Sequence, residues 1–496
     1  MSKSCGVLVA GALLGGCGGG AAKHPDAAAD APVDVPTRTV SGHDILHLVT
    51  PTGVADVPND LSRATVAVLV GPSFTPIYGS GSSDGTFSIP DVPVGEYYFV
   101  AGTHYFVGSA DTFNLDAYAV GRGDATFVTQ PTNLTFTLSG MAAWQTGDEI
   151  EMYSPQSGTL GFDLELAASS GAPAANDTAL NAMVYDLRNA SRNTAPSAAA
   201  GDAVTIAHLS KATDGTRTYE ALAQSFAPTG LEVTNGGSAS VNGAFANVTT
   251  TQTLTVTWDR PAFAADLGAH FPHADSRNFS TFAVTALQRA STLGFYDGGP
   301  DLLFFAPGYT TDTTAVSAAW PYGDPFPTDW GRIAWNRFYK FRFISLPGAQ
   351  PAAIYARLFT YRDVSTLAAD PMFEPGIGAV ANPTVNGSDA LAVASITGAG
   401  MTPTLKWDPP AIGTPAKYYV YVYSVSNVSG TTTLQLAAEL ETTNSQLVIP
   451  PSLLVAGQPY VFEIEARSTS ADVVAEPLAH ALPESYSSVM TTMVTP

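Results

Sequence analysis

Apolar residues recur at every second position along much of this 496-residue chain, the period of a strand with one buried face. Leu134-Thr135-Phe136-Thr137-Leu138 sets Leu134, Phe136 and Leu138 on one side and the threonines on the other. Phe87 and Ile89 alternate in the same way after the turn pair Asp84-Gly85. Tyr97 and Phe99 resume the pattern after the turn Pro93-Val94-Gly95. Further strands are predicted at 39–42, 64–70, 161–166, 204–209, 219–226, 251–258, 419–423 and 447–450. In 460–466, Phe462, Ile464 and Ala466 are expected to point inward, and Glu463 and Glu465 to water. Helical periodicity is scarce, and only 179–193 and the neighbourhood of 285–292 carry it. The pattern predicts an all-β chain of tandem antiparallel β-sandwich domains.

Composition supports this reading. The 45 glycines and 36 prolines supply many turns, while only 13% of residues are charged. The formal net charge of −22 opposes contact with a phosphate backbone or with anionic headgroups, so no nucleic-acid partner is expected.

The amino terminus changes the picture. Lys3 precedes an apolar run, Val7–Leu14, far shorter than the roughly 20 residues a spanning helix needs. The run ends in Leu14-Gly15-Gly16-Cys17, which resembles the bacterial lipobox. That resemblance implies a signal peptide over 1–16, a diacylglyceryl thioether on Cys17, and a membrane partner reached through the N-terminal lipid. Gly18 stands where aspartate would mark inner-membrane retention, so the outer membrane is favoured, with its face left open. Residues 17–38 are rich in Gly, Ala, Asp and Pro and read as a flexible, disordered tether. Cys5 would leave with the signal. The remaining chain has no cysteine, so no disulfide, thiolate metal site or cysteine nucleophile can form there.

Three regions follow the tether. Over 39–120, Gly85-Thr86-Phe87-Ser88-Ile89 and Val92-Pro93-Val94-Gly95-Glu96-Tyr97 resemble the carboxypeptidase regulatory-like sandwich, close to the B-repeats of collagen adhesins. The Lys–Asn crosslink of some adhesin members is excluded, because no lysine lies between Lys23 and Lys211. Over 379–496, Trp407-Asp408-Pro409-Pro410 and the run from Leu454 to Ala466 resemble a fibronectin type III domain, with Ala456 in the usual proline slot. The resemblance implies Tyr460 as the tyrosine-corner residue and Trp407 as the core tryptophan. The central region, 125–378, reads as one large or two small sandwiches. Its Leu254–Pro261 stretch echoes Leu405–Pro410, either as a divergent repeat or by convergence of two sandwich strands.

Candidate chemistry concentrates in the central region. Trp320, Tyr322, Phe326, Trp330 and Trp335 crowd together, and Pro321, Pro325 and Pro327 predict that much of this is loop. Tyr339, Phe341 and Phe343 then alternate with Lys340 and Arg342. Arg332, Arg337, Lys340, Arg342, Arg357 and Arg362 follow one another without a carboxylate. Trp320, Tyr322, Trp330, Arg332, Trp335 and Arg337 are therefore the candidate ligand-binding set. Aromatic faces stack on sugar rings, and guanidinium forks match carboxylates. The competing reading has the tryptophans roofing a core and the basic residues paired within the fold.

Other motifs carry less. His43, His47 and His104, and His270-Phe271-Pro272-His273-Ala274-Asp275, fall short of a metal-ligand set, and Asp297–Asp301 lacks the ligand count of a calcium loop. No metal or cofactor is expected. Arg122-Gly123-Asp124 reads as an integrin-type tripeptide or a plain linker turn. No catalytic fingerprint is present, and Asp148, Glu149 and Glu151 lack an active-site frame. The expected function is a non-catalytic binding or adhesion module for a glycan or an envelope protein. A structural spacer is the alternative, and a hydrolase with its site in the central region a third reading.

Overall fold

The computed structural model describes residues 35–159, 164, 169–190, 192–288 and 298–496. The fold is all-β, and among the described residues the α-helices are Arg260–His270 and the single turn Val364–Leu367. None is long and apolar enough to cross a membrane.

One 18-stranded sheet runs through all three regions. From one edge, its main path passes through Glu149–Tyr153, Thr205–Thr213, Thr218–Phe226, Asp301–Thr310, Asn278–Leu287, Gly331–Ile344 and Ala352–Asp363. It continues through Glu484–Met490, Tyr460–Ser468, Lys417–Val428 and Thr431–Thr442 into His104–Gly108, Tyr97–Ala101, Ala67–Val70 and Thr75–Tyr78. Every junction on this path is antiparallel except the one between Thr431–Thr442 and His104–Gly108, which is parallel.

Small sheets cover this spine and bury its apolar side chains. Strands Thr37–His43 and Thr86–Pro93 bring Val40, Phe87 and Ile89 onto Val68, Phe99 and Phe106. Asn133–Ser139, between Leu180–Asp186 and Ser238–Ala244, sets Leu134, Phe136 and Leu138 on Ile150, Met152 and Ile206. Thr250–Trp258 and Val316–Gly323 lay Leu254, Val256, Trp258 and Trp320 on Phe282, Val284 and Phe338. Thr404–Asp408 and its neighbours seat Leu405 and Trp407 on Val420, Val422, Phe462 and Ile464. Trp258 and Trp407, the pair that echo in sequence, lie at or next to the end of inner strands of two such covering sheets. Ile45–Thr50 and Ala117–Val120 cover the opposite face, where Val49 and Val120 meet Trp335, Phe359 and Tyr361.

Several sequence expectations change. The stretch 179–193 contains the strand Leu180–Asp186, because Leu180, Met183 and Tyr185 are all buried against the neighbouring strand, and such packing outweighs helix propensity. Thr285 lies in the strand Asn278–Leu287, and 289–292 fall outside the described residues. The helix Arg260–His270 is unforeseen. Asp259 caps it by accepting the Ala262 N–H at 3.2 Å, Pro261 occupies its first turn, and Phe263 and Leu267 anchor it in the core. Pro321 sits within the strand Val316–Gly323 rather than in a loop. That strand is at a sheet edge, where a missing N–H costs no ladder bond. The first strand begins at Thr37, inside the expected tether. Of the expected strand 161–166, Leu164 is described and lies outside any strand, and the other positions fall outside the described residues.

Candidate functional site

The six candidate ligand-binding residues do not share one surface. Trp320 is 0% exposed, with its ring among Phe305 at 5.1 Å, Tyr219 at 5.5 Å and Phe282 at 6.0 Å. Its Nε1 donates to Asp214 Oδ2 at 3.1 Å. Tyr322 is buried in the same core, and burial pushes its phenol up to about 12. Trp335 lies on the other side of the long sheet, also buried, with the Arg337 guanidinium 4.8 Å from its ring centre and 5.6 Å from that of Phe359. Trp330 is half-buried, stacked on Phe326 at 5.4 Å and edge-on to Tyr153 at 5.9 Å. Arg332 binds Asp324 through Nε at 2.7 Å and Nη2 at 2.9 Å, and also donates to the carbonyls of Phe326, Pro327 and Trp330. It fastens a loop around itself. This arrangement matches the reading in which the tryptophans roof a core and the arginines pair inside the fold.

The alternation in Gly331–Ile344 has the opposite sense from a basic ligand face. Arg342 is buried on the core side, donating to Leu391 O at 2.8 Å and lying 5.3 Å from the Phe271 ring centre. Tyr339, Phe341 and Phe343 point outward. With Phe279 and Tyr309 they form a shelf of rings on three adjacent strands. Tyr309 is 64% and Phe343 57% exposed, while Phe279, Tyr339 and Phe341 are half-buried. Tyr309 lies 5.1 Å from Phe279 and 5.8 Å from Phe341, and Tyr339 and Phe341 are stacked 5.8 Å apart with their planes within 11° of parallel.

Beside the shelf, the same face of the sheet carries a buried ladder of charges. Glu463 and Glu465, expected to face water, are both 0% exposed. Arg357 Nη2 lies between them, 2.6 Å from Glu463 Oε1 and 3.1 Å from Glu465 Oε2. Glu463 also accepts from Ser488 Oγ at 2.7 Å, Tyr423 at 3.0 Å and Tyr355 at 3.3 Å. Arg467 reaches Glu465 at 2.7 Å and Glu484 at 3.5 Å, with its guanidinium between the rings of Tyr419 and Tyr486. Lys417 completes the row with Glu441 at 3.3 Å and the carbonyl of Pro477. Burial works against both guanidiniums carrying charge, yet the carboxylates beside Arg357 and Arg467 hold them firmly protonated. Burial drives the phenols of Tyr419 and Tyr421 well above their ordinary value. A sequence signal for this ladder exists in hindsight. Tyr419-Val420-Tyr421-Val422-Tyr423 is bulky on both faces, as a strand covered on both sides must be.

The remaining motifs are structural in placement. Arg122 forks onto the buried Asp202 at 3.0 Å through both Nε and Nη2, and its Nη1 holds Asp124 at 2.6 Å. The Arg-Gly-Asp turn is thus closed on itself and ties the first region to the central one. His43 and His47 share Asp116, at 2.8 and 3.4 Å. His104 lies apart, stacked on Phe106, and burial pushes it down to about 4. His270 Nδ1 is 2.9 Å from Asp266 O, and His273 points to solvent. Among the described residues no group of three histidine, cysteine or acidic side chains could hold a metal ion. Asp297 of the calcium-loop candidate falls outside them. Asp148 accepts the Gln145 and Lys211 amides at 2.9 and 3.0 Å, and Glu151 accepts the Asp301 amide at 3.0 Å, so these carboxylates hold backbone in place. Cys17 lies outside the described residues.

No family model matches the chain, and no curated protein is significantly similar to it. Among solved structures, Escherichia coli alpha-2-macroglobulin activated by porcine elastase aligns with 9% identity, over 93% of this chain and 44% of that one, at a TM-score of 0.14. The chain therefore spans less than half the length of that structure, and a score so low leaves the two folds unrelated for any argument about activity.

Proposed function

We propose that this chain is a non-catalytic, lipid-anchored protein of the bacterial cell envelope, with the outer membrane favoured, that acts as one stiff spacer body on a flexible stalk. The observation that supports this is the continuity of the long sheet. Modules joined only by linkers would move independently, whereas here backbone hydrogen bonds cross from the first region into the last and from the central region into the last. Side-chain ties reinforce these crossings: Tyr98 OH accepts the Val448 amide at 3.1 Å, and Asn444 donates to Glu96 at 2.6 Å. The non-catalytic reading draws on Asp148, Glu151, Glu441, Glu463 and Glu465, which are engaged by arginines, lysine or backbone amides.

Scanning calorimetry of the purified protein tests the single body. One cooperative unfolding transition is expected, and separate transitions for the three regions would overturn it. The anchor has its own test. Replacing Cys17→Ser should abolish incorporation of labelled palmitate and move the protein from the membrane to the soluble fraction, since two or three acyl chains hold where one does not. Unchanged labelling would remove the anchor from the proposal. A second reading, a binding module for a glycan or envelope protein, is favoured by the exposed rings of Tyr309 and Phe343.

A further inference from the structure

We infer that the shelf formed by Phe279, Tyr309, Tyr339, Phe341 and Phe343 is a binding site for a neutral polysaccharide chain. The inference rests on the second reading above and assigns it a place and a ligand class. Four observations lead there. Four of the rings, Phe279, Tyr309, Tyr339 and Phe341, are contiguous, with centroid separations of 5.1 to 6.1 Å, and Phe343 follows Phe341 on the same face of its strand. They lie on the flat face of hydrogen-bonded strands, so the surface is set before any ligand arrives, and little ordering entropy opposes binding. The surface is aromatic rather than aliphatic. A pyranose presents a face of axial C–H groups that packs on a π face, with its hydroxyls left at the rim for water and phenols. Tyr339, Phe341 and Phe343 follow one another at alternate positions of one strand, the first two 5.8 Å apart with planes within 11° of parallel, a row along which an extended chain of sugars can lie.

Charge selects among glycans. Two guanidiniums near the shelf are already paired with carboxylates. Arg277 is paired with Asp275 at 3.1 Å, and Arg357 is buried against Glu463. Arg337, two positions before Tyr339, lies over the rings of Trp335 and Phe359, and the net charge of −22 repels anions. The ligand class is therefore a neutral polymer rather than an acidic one.

Affinity electrophoresis of the full-length protein in mild detergent tests this. The gels carry neutral β-glucan, xylan or galactomannan, with alginate as the anionic arm. Wild-type protein should be retarded by at least one neutral polymer and not by alginate. The Tyr309→Ala/Phe343→Ala variant, which removes only the two most exposed rings, should bind about tenfold more weakly or worse with an unchanged melting temperature. Equal retardation of wild type and variant would overturn the shelf while leaving the binding reading intact, with its site elsewhere. Retardation by alginate alone would overturn the neutral class. Absence of retardation in every gel would remove both the shelf and the binding reading. In that case sedimentation of the two proteins reads whether the rings instead join two copies: a dimer that the variant dissociates would mark a self-interface.

Discussion

Replacing Arg357→Met should lower the global stability of the protein by about 3–5 kcal/mol, the range for removing one partner of a buried ionic network. Arg357 touches both Glu463 and Glu465, and neither carboxylate is exposed. Glu465 keeps Arg467 at 2.7 Å. Glu463 keeps only neutral hydroxyl donors, from Ser488, Tyr423 and Tyr355, so it would be left as a buried charge without a counter-charge. Methionine matches much of the volume, so the loss measures charge rather than a cavity. The double variant Arg357→Met/Glu463→Gln should recover a substantial part of the loss, because the amide no longer needs a cation. Urea unfolding followed by tryptophan fluorescence provides both values. A single-variant loss below about 1 kcal/mol, the scale of exposed pairs, would mean that water reaches the ladder, and its description as buried would fall.

Replacing Trp320→Ala should cost a similar amount, about 3–5 kcal/mol, for a different reason. The indole fills the core between two sheets, touching Tyr219, Phe282 and Phe305, and no neighbour can collapse into so large a void without leaving its own contacts. Asp214 loses one donor but keeps the Thr216 and Arg217 amides at 2.9 and 2.7 Å, so most of the cost is packing. Trp330, half-buried on a loop, should cost clearly less when replaced by alanine. This ranking separates two readings of the tryptophans. A ligand platform predicts that both variants stay folded and lose binding. A core roof predicts that Trp320→Ala loses stability whatever it binds. Equal melting temperatures for wild type and Trp320→Ala would return Trp320 to the candidate surface.

The all-β class was legible because local alternation and burial agree. Phe87, Ile89, Leu134, Phe136 and Leu138, assigned inward from period alone, are all buried. The Tyr460 hydroxyl accepts the Val455 amide, five positions upstream, at 3.0 Å, and Trp407 is 1% exposed. Reasoning failed where the deciding partner is distant in sequence. Glu463 and Glu465 alternate like solvent-facing residues, and only Arg357, over a hundred positions upstream, reveals that they are covered. The helix Arg260–His270 hid behind Asp259 and Pro261, residues that open a helix as readily as they make a turn. The candidate site failed for a related reason. A cluster of tryptophans in sequence does not say which face of which sheet each occupies, and Trp320 and Trp335 proved to lie in different cores. The rings that do reach solvent were partly legible, since Tyr339, Phe341 and Phe343 share a face by period alone. Their partners Phe279 and Tyr309 come from other strands that sequence could not place beside them.

The parallel junction between His104–Gly108 and Thr431–Thr442 sets an order of assembly. The first of these strands precedes the second by more than three hundred residues, and contacts so distant along the chain form late and slowly. Until then the His104–Gly108 edge is an open row of amides and carbonyls, a template for pairing with another chain. The folding protein therefore passes through a stage in which its first region is unfinished on one side. Dilution, a holding chaperone or delayed collapse must keep that edge from the wrong partner. Yield on refolding should accordingly fall as protein concentration rises, even where the finished molecule is stable.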